Sequence, residues 1–527
     1  MVDLRSSAPD VSPRIAALLL FLIVLAVVGL RLHWLQVPLE RDEGEYAYFG
    51  QLILQGGLPY RDAYNMKPPG IYYAHALALW LCGETAQGVR LAVTGVSVAS
   101  ALLFYGVVRH WLTRTSSLLA TATFALLAAH HRLLGFASKA EHFVLLFALA
   151  GLAAGLGSLR RQSAARMLGA GIACGLAMMM KPTAVVFPAY LAWHAATQHG
   201  RSDHGGLIRT LSALTAGCVL PVALAWGWFW SQGAIEPMWF WTVTYAREYA
   251  SAVPIRDGLR LAGSTMMHVF GGAPAVWALA VLGWWRLWRA NTRTRSGMWS
   301  FLLAGAGAVA LGWRFSEHYF LLLVPQAALG VGLCESCAGK QFRRWSVAFA
   351  AMVIAGSGVQ EWVRFHGMSP SEVSRTIYGR NPFPEAIDIA KYIQAATTPW
   401  ERVAVIGSEP EIYFYARRRA ATGFVYTYPL MESHLFALAM QEQMIREIER
   451  AQPRFLVLVH VPTSWSRQAN SHVRILDWSA AYANSLYRPC GLVEIPEHGF
   501  GRSVWGQAAL YAQPQSDMFI SVFERIS

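Results

Sequence analysis

The stretch RDEGEYAYFGQLILQGGLPYRDAYNMKPPG, residues 41–70, places carboxylates and cations between two apolar segments. Charge is costly beside membrane-type segments, so its presence there indicates a function. Asp42 stands where a helix should begin, and Glu45 follows at the third helical position, which is the spacing of a capping box. The apolar residues after Glu45 fall on one helical face. We therefore predict a short amphipathic helix that starts at Asp42 and lies at the membrane surface.

The same stretch predicts where the first helix ends and a second one begins. The glycine pair at 56–57 should end the first helix, and Pro68-Pro69 should open a second helix over IYYAHALALWLC, residues 71–82. Gly83 is placed to close that second helix. At about 1.5 Å per residue it covers only about two thirds of a hydrocarbon core, so we interpret it as re-entrant or interfacial.

The composition is that of an integral membrane protein. Of the 527 residues, 55% are hydrophobic and 14% are charged, against roughly 25% charged in soluble domains. The formal charge is +13, but the arginines cluster in short loops between apolar spans. Membrane topology therefore explains the charge better than a nucleic-acid partner does. A lone CxxC, Cys334 to Cys337, has no second pair and does not make a zinc framework.

Apolar segments predict about eleven membrane spans. We place them at residues 15–30, 89–108, 117–134, 142–158, 167–180, 183–197, 208–230, 261–285, 298–312, 319–334 and 345–362. Lys and Arg are denser in the loops on the N-terminal side of the membrane, so the positive-inside rule puts the N-terminus in the cytoplasm and the first loop outside. By the same rule Cys490 lies outside, whereas Cys334 and Cys337 lie inside.

Hydropathy falls after residue 364, which divides the chain into a membrane domain, 1–364, and a C-terminal region, 365–527. Strand-like and helix-like segments alternate in that region, which is typical of a small α/β domain. The strand-like segments are VAVIG (403–407), FLVLVH (455–460) and MFISVF (518–523), and the helix-like ones are 409–416 and 435–451. The predicted topology places this domain outside the cytoplasm.

Charged side chains collect on the predicted outer face of the membrane. The acidic pair Asp42 and Glu43 is joined there by groups at loops or span ends: Asp62, Lys67, Lys139, Glu141, Arg247, Arg256, Arg314 and His318. Carboxylates beside cations are what transfer from an anionic, phosphate-linked donor needs. Structural alternatives stay open at this point, namely a helix cap for the acidic pair, a snorkelling cation for Lys67 and a structural role for His318.

The stretch that runs on from residue 41 as RDEGEYAYFGQLILQGGLPYRDAYNMKPPGIYY resembles the first external loop of the GT-C glycosyltransferases. That superfamily includes the aminoarabinose transferases of lipid A and the protein O-mannosyltransferases. Further segments extend the resemblance: SKAEHF (138–143), MKPTA (180–184) and GWRFSEHYFLLLVP (312–325). The resemblance covers most of residues 1–340 and is most specific in the first loop. It implies a GT-C-like helical membrane fold with interfacial helices in that loop.

The resemblance also implies an activity. Such enzymes take a sugar from a polyprenyl-phosphate carrier and transfer it to a hydroxyl or phosphate of a lipid, glycan or protein. We expect a single displacement in which Asp42 deprotonates the acceptor hydroxyl, so the configuration at the sugar carbon is inverted. The expected location is the outer face of a bacterial cytoplasmic membrane, with membrane lipids as further partners. A divalent cation at Asp42 is left open, and no other cofactor is implied.

Site residues follow from the same resemblance. The resemblance implies a catalytic role for Asp42, a second acidic site residue in Glu141, and donor-phosphate binding by Lys67 with Arg314 or His318. We also predict Glu43 as a catalytic residue, and donor binding by three further residues: Arg61, Tyr64 and Tyr319. One position departs from the family pattern, because Lys139-Ala140 precede Glu141 where Asn-Thr is common. Glu141 is therefore expected to be a second acidic site residue without a defined role.

Two other classes of function compete with an enzyme. A transporter or flippase of lipid-linked sugars would show matched broken helices in two halves and charges near mid-membrane, whereas the sequence has one Pro-Pro break and outer-boundary charges. An inactive scaffold would use the C-terminal region to bind a partner. No Walker motif, GxSxG or HExxH is present, so the sequence gives no support to ATP-driven pumping or the usual hydrolases.

Overall fold

The chain is mainly helical from residue 13 to residue 365. The structure is a computed structural model that describes residues 10–161, 163–199, 203–251, 253–290, 292, 294–337, 342–497, 499 and 501–526. The α-helices of this part are α1 (Pro13–Leu32), α2 (Arg41–Leu54), α3 (Pro69–Cys82), α4 (Ala86–Val108), α5 (Arg114–Leu127), α6 (Ala140–Arg161), α7 (Ala164–Met180), α8 (Val186–Gln198), α9 (His204–Ser231), α10 (Ile235–Trp239), α11 (Ala246–Ser251), α12 (Ile255–Phe270), α13 (Pro274–Arg289), α14 (Arg295–Ala310), α15 (Val324–Ser336) and α16 (Arg343–Phe365). Short 3-10 helices at His131–Leu133, Pro182–Val185 and Glu317–Leu323 and a π-helical turn at Phe240–Tyr245 link them.

Six helices in the described residues are long and apolar enough to cross a membrane, judged by length and composition. The helices α12 and α13 would add a seventh span as one pair, although they meet at a bend of 109°. The predicted spans fall on helical segments, although the span at 261–285 crosses the bend between α12 and α13. Several of the helices, such as α5 and α8, are shorter than the roughly 20 residues that a perpendicular crossing needs. The helical membrane-type fold is thus present, and the count of eleven spans stays a prediction.

The helix α2 forms where the sequence predicted a helix, but its cap and its surroundings differ from the prediction. Glu40 is the N-cap, and it forms a capping box with Glu43, so the expected cap by Asp42 with Glu45 is wrong. The reason is that Glu40, just upstream, can accept the same backbone donors. Most of α2 is buried, because Gly44 packs against Glu411 of the C-terminal region and the opposite side meets α3. The helix is thus covered by other parts of the protein, and its position at the membrane surface stays a prediction.

The helix α3 has the predicted bounds. It begins at Pro69, after the extended Pro68, and Gly83 ends it with a φ of 93° that side chains with a Cβ rarely adopt. Gly50 of α2 lies against the α3 backbone, where an added Cβ would come within 2.9 Å of Ala76 N. The two helices of the first loop therefore pack together closely, which brings the residues before each of them to one place.

The C-terminal region contains a sheet of five strands, and helices precede the first strand and connect the first three strands. The strands are β1 (Val403–Ile406), β2 (Phe455–His460), β3 (Tyr487–Glu494), β4 (Ser503–Trp505) and β5 (Phe519–Arg525). Their order is β1-β2-β5-β3-β4, with β1 and β2 parallel and the other neighbours antiparallel. The helices are α17 (Pro370–Tyr378), α18 (Phe383–Ala396), α19 (Pro410–Ala416), α20 (Tyr428–Met431), α21 (Ala437–Ala451), α22 (Pro462–Trp465) and α23 (Arg474–Leu486). The three predicted strands and both predicted helices are confirmed, whereas β3 and β4 were not predicted.

The C-terminal region is fastened to the first loop by buried hydrogen bonds. The hydroxyl of Tyr415 accepts from the backbone of Leu39 at 2.8 Å, and the hydroxyl of Tyr48 accepts from the backbone of Ala420 at 2.9 Å. The Arg41 guanidinium reaches the region as well, where it donates to the carbonyl of Ser408 at 2.6 Å. These bonds hold α2 between the membrane-type helices and the sheet.

Candidate active site

Asp42 lies at the centre of a buried ion network. Lys67 Nζ donates to Asp42 Oδ1 at 3.1 Å, and Lys139 Nζ donates to Asp42 Oδ2 at 2.7 Å. Each lysine also has a second carboxylate, because Lys67 contacts Glu45 at 2.8 Å and Lys139 contacts Glu40 at 2.8 Å. The Asp42 side chain keeps 20% of its surface exposed, whereas Glu45 keeps none. Asp42 is therefore the carboxylate of this network that a substrate can most easily reach.

The starts of three helices bring this network together. Asp42 lies in the first turn of α2, Lys67 precedes the proline pair that opens α3, and Lys139 directly precedes α6. A helix N-terminus carries a partial positive charge and favours a nearby carboxylate. The position at the start of α2 therefore helps to keep Asp42 ionised and fixes the direction of its side chain.

The three central groups stabilise one another's charged forms. Burial alone would raise the pKa of Asp42, but the neighbouring ammonium groups of Lys139 and Lys67 hold that pKa well below its usual range. Burial alone would lower the pKa of Lys67, but Asp42 and Glu45 raise it well above the usual range. Asp42 and Glu40 raise the pKa of Lys139 in the same way. Without a substrate, the network therefore holds an ionised aspartate between two charged lysines.

Glu43, predicted as a catalytic residue, lies on the closed side of α2. Its carboxylate accepts from Arg90 at 2.7 Å and from the backbone of Ser138 at 2.6 Å, and no part of its side chain is exposed. The Arg90 guanidinium in turn lies 4.9 Å from the ring centroid of Phe136. Burial raises the pKa of Glu43 and Arg90 opposes that rise. These contacts join α2 to α4 and to the loop before α6, while Asp42 faces the lysines.

A second ion pair, between Glu141 and Lys181, lies beside the first network. Lys181 Nζ donates to Glu141 Oε1 at 2.5 Å and lies 3.2 Å from the ring centroid of Tyr319. His318 is within electrostatic reach of both Asp42 and Glu141. Its Nδ1 is buried without a hydrogen-bond partner in the described part of the chain. The structure thus brings Glu141, His318 and Tyr319 to the same place as Asp42.

Arg314 lies at the edge of this group. Its guanidinium donates to the carbonyl of Tyr249 at 3.0 Å and lies 3.4 Å from the ring centroid of the same residue. Its Nη2 is also 3.9 Å from Glu432, which accepts from the hydroxyl of Tyr245 at 2.5 Å. Arg314 is therefore held between the membrane-type helices and the C-terminal region, with a quarter of its side chain exposed.

The structure does not bring the other predicted donor-binding residues to Asp42. Arg61 forms an exposed ion pair with its neighbour Asp62 at 2.8 Å. The Tyr64 hydroxyl donates to Glu447 at 2.8 Å, which fastens the first loop to α21. Two more residues of the predicted outer face are exposed, Arg247 in the short helix α11 and Arg256 in the first turn of α12. These side chains have surface or packing contacts rather than contacts with the two ion pairs.

Tyrosine rings surround the lysines of the site. Lys67 Nζ lies 4.4 Å from the ring centroid of Tyr46 and 6.0 Å from that of Tyr426, and Tyr319 covers Lys181. Cations over aromatic faces are attracted by the ring electrons. Tyr426 comes from the C-terminal region, in the loop before α20, so the wall of the site includes residues from both ends of the chain.

Comparisons with known proteins match the chain to sugar-transfer proteins. Residues 66–228 match the family model "Dolichyl-phosphate-mannose-protein mannosyltransferase". A curated relative, the undecaprenyl phosphate-alpha-4-amino-4-deoxy-L-arabinose arabinosyl transferase of Pseudomonas aeruginosa (strain LESB58), is 32% identical over 221 residues. That alignment spans 38% of this chain and 38% of the relative. The predicted resemblance to the GT-C glycosyltransferases is confirmed.

Solved structures extend the similarity to the whole fold. A crystal structure of ArnT from Cupriavidus metallidurans bound to undecaprenyl phosphate has a TM-score of 0.61 at 15% identity and covers 97% of this chain and 98% of its own. An oligosaccharyltransferase from Archaeoglobus fulgidus has a TM-score of 0.50 at 12% identity and covers 94% of this chain and 74% of its own. At such identities the likeness concerns the fold, and the fold is the GT-C one.

Metal-ligating side chains meet at a different place in this GT-C fold. His130, His131 and Glu361 have ligand atoms within 4.8 Å of one another. The hydrogen bonds explain this group without an ion, because His131 donates to Glu361 and the Arg132 backbone donates to Nδ1 of His130. A neutral His130 then carries its proton on Nε2, which faces Glu361. At Asp42 both carboxylate oxygens already accept from lysines, so the divalent cation left open there gains no support from these contacts.

Sequence reasoning missed part of the site. The predicted site residues leave out Lys181, although Lys181-Pro182 repeats the Lys67-Pro68 arrangement and both lysines reach the site. That repeated Lys-Pro pair was a usable signal. No such signal indicated Tyr426, because it is distant in sequence from the other site residues and its neighbours carry no motif.

Proposed function

We propose that the chain transfers a sugar from a polyprenyl-phosphate-linked donor to an acceptor on the outer face of a bacterial cytoplasmic membrane. The observation that carries this proposal is the carboxylate of Asp42, each oxygen of which is held by a lysine at the joined starts of three helices. The curated relative is named for an undecaprenyl-phosphate-linked donor, which supports a donor of that class here. The acceptor is a hydroxyl or a phosphate of an envelope lipid, glycan or protein.

The resting ion network explains how donor binding would prepare Asp42. An aspartate with a strongly lowered pKa is a weak base. A donor phosphate that binds Lys67 takes that lysine away from Asp42 Oδ1 and leaves Lys139 on Oδ2. The pKa of Asp42 then rises, because one of its two stabilising cations now serves the phosphate. In this proposal the donor itself activates the base, so a bound donor precedes deprotonation of the acceptor.

The proposed reaction is a single displacement. Asp42 accepts the proton of the acceptor hydroxyl, and the hydroxyl oxygen forms a bond to the anomeric carbon of the sugar. The bond between that carbon and the phosphate oxygen breaks, and its electron pair leaves on the polyprenyl phosphate. Lys67, with Lys181 and Arg314 as further cations, neutralises the leaving phosphate, and the configuration at the sugar carbon is inverted.

The transporter alternative predicts a second broken helix that matches the first. Among the described residues one helix pair, α12 with α13, is sharply bent at a short break. Its 109° bend has no counterpart in the other half of the described chain, and the paired charges lie at helix starts. We therefore retain glycosyl transfer as the proposed function.

A lipid analysis of cells tests this proposal for any transferred sugar. Envelope lipids and glycans are compared by mass spectrometry in cells that carry the wild-type chain, Asp42→Asn, or no chain. We expect both deficient strains to accumulate a sugar-linked polyprenyl phosphate and to lose one glycosylated product. Identical profiles in the three strains would reject the proposal. Treatment of intact cells with a glycosidase distinguishes the flippase alternative. Loss of a flippase leaves the accumulated donor on the cytoplasmic side, where the glycosidase does not reach it, whereas loss of the proposed transfer leaves the donor on the outer face.

A further inference from the structure

We infer that Tyr426, in the C-terminal region, binds the sugar that is transferred. This inference rests on the proposed function and adds a residue that touches the substrate. The ring centroid of Tyr426 lies 6.0 Å from Lys67 Nζ, and burial together with the Asp42 carboxylate raises the pKa of the Tyr426 hydroxyl. Tyr426 is half-buried, and within the described residues its hydroxyl makes no hydrogen bond. A free hydroxyl on a ring that lies over Lys67, the lysine that donates to Asp42, is available to a ligand.

The reaction geometry assigns the sugar to this position. The anomeric carbon is bonded to the phosphate oxygen that Lys67 holds, and it is attacked by the hydroxyl that Asp42 deprotonates. The sugar ring must therefore lie against a group that faces both Lys67 and Asp42. Tyr46 also lies near Lys67 but is buried, whereas Tyr426 is half-buried and can be reached by a ligand. The Tyr426 side chain offers a hydroxyl for a sugar hydroxyl and an aromatic face for the C–H face of the ring.

The loop that carries Tyr426 is fixed on both sides. The Gly423 carbonyl accepts from the backbone of Tyr64 at 2.8 Å, and the Thr427 backbone donates to Ser408 at 2.9 Å. The adjacent Tyr428 differs from Tyr426 because its hydroxyl is already used. It donates to the carbonyl of Thr463 at 2.6 Å and accepts from Arg41 at 3.1 Å.

This difference supplies a matched pair of variants. Tyr426→Phe removes the free hydroxyl and keeps the ring, whereas Tyr428→Phe removes a hydroxyl that already has two partners within the protein. Purified wild type and both variants are incubated with undecaprenyl phosphate, which has no sugar, and with a membrane lipid extract from the Asp42→Asn cells. Native mass spectrometry then gives the ratio of sugar-linked to sugar-free lipid bound by each protein, and thermal unfolding is measured in parallel.

We expect Tyr426→Phe to lower that ratio about tenfold, the usual range for one lost hydrogen bond, without weaker binding of undecaprenyl phosphate. Tyr428→Phe should keep the wild-type ratio even where it unfolds at a lower temperature. An unchanged ratio in Tyr426→Phe, or an equal fall in both variants, overturns the inference while the proposed function stands. A wild-type protein that binds neither lipid phosphate overturns the proposed function itself.

Discussion

Arg41 and Glu409 form a buried ion pair at 2.9 Å, although 368 residues of chain separate them. Arg41 directly precedes Asp42, so this pair ties the reactive end of α2 to the C-terminal region. Asn381 and Tyr428 accept further bonds from the same guanidinium, at 3.2 and 3.1 Å. The C-terminal region therefore determines where the first turn of α2 lies.

Arg41→Met should destabilise the protein by about 3 to 5 kcal/mol, because it leaves the Glu409 carboxylate buried without its cation. The measurement is the free energy of unfolding in detergent micelles. Arg41→Met with Glu409→Met should recover part of the loss, since no charge then stays unpaired. The exposed pair of Lys391 with Asp388 supplies the control, and Lys391→Ala should change stability by less than about 0.5 kcal/mol. A stable Arg41→Met protein would contradict the role given to this ion pair.

Asp42→Asn should lower sugar transfer by about 10²- to 10⁴-fold, because an amide does not accept the proton of the acceptor. Glu40 still caps α2, and each lysine keeps one carboxylate, so the fold should persist. Transfer rate and thermal unfolding are measured on the same preparation. Glu43→Gln is the contrasting variant, since it weakens the Arg90 contact and should reduce stability more than it reduces the rate per folded molecule. Wild-type transfer by folded Asp42→Asn protein would remove Asp42 from the mechanism.

Lys67→Ala should lower the use of the donor by about ten- to a hundredfold, the usual contribution of a charge-assisted contact to phosphate. The same substitution also leaves Glu45 without its cation, which could lower activity through the fold alone. Lys67→Ala with Glu45→Gln separates the two effects. The double variant has no unpaired charge at position 45, and it still lacks the contact between Lys67 and the phosphate. We expect the double variant to recover thermal stability but not kcat/KM for the donor. Recovery of both would limit Lys67 to a structural role.

Glu411→Gln should stabilise the protein increasingly as the pH rises above about 4.5, the ordinary pKa of glutamate. Burial and the nearby Glu409 raise the pKa of Glu411 well above its usual range, and neither of its oxygens has a hydrogen-bond partner in the described part of the chain. The native carboxyl therefore stays protonated where the unfolded one ionises, so wild-type stability falls with rising pH by up to about 1.4 kcal/mol per unit. Thermal unfolding at pH 5 and pH 8 checks this. A Gln variant that follows the wild-type pH dependence would exclude Glu411 as its source.

The predicted topology can be tested with thiols at exposed positions. Cys490, predicted to lie outside, is buried in the sheet and would resist a reagent wherever it lay, so a native-cysteine experiment is uninformative. In a chain without native cysteines, Trp400→Cys occupies a position that is 91% exposed in the C-terminal region. His204→Cys at the exposed start of α9 marks the predicted cytoplasmic side. Intact cells should be labelled by a membrane-impermeant reagent at Trp400→Cys and not at His204→Cys, and the reverse pattern would invert the topology.

Local signals predicted those elements whose bounds depend on nearby residues. The helix α3 lies where Pro68-Pro69 and Gly83 predicted it, because these residues restrict the backbone themselves. The strand β3 was missed because it contains Pro489 and Gly491, which usually mark turns, and the structure has a register shift there. The N-cap of α2 was assigned to Asp42 because the sequence alone does not show which of Asp42 and Glu40 caps the helix.

The sequence grouped charged residues that the structure also brings together, but it did not indicate the contacts between residues that are distant in sequence. Asp42, Lys67 and Glu141 were predicted as charges on one face, and the structure brings them to one place. Tyr64 was expected at the donor, yet its hydroxyl bonds to Glu447, and no local pattern encodes that contact. Chemistry is visible in the residue types, whereas the choice of partners depends on how the C-terminal region folds back.

The strand β5 follows all the other strands in the chain, yet it occupies the middle of the sheet, between β2 and β3. During synthesis this sheet cannot be completed until the ribosome has released β5 and, in the proposed topology, β5 has crossed the membrane. Until then the loop with Tyr426 and the partners of Arg41 lack their support. If the proposed function holds, a nascent chain that still lacks β5 would not use lipid-linked sugars, and transfer would begin only after this strand has been exported.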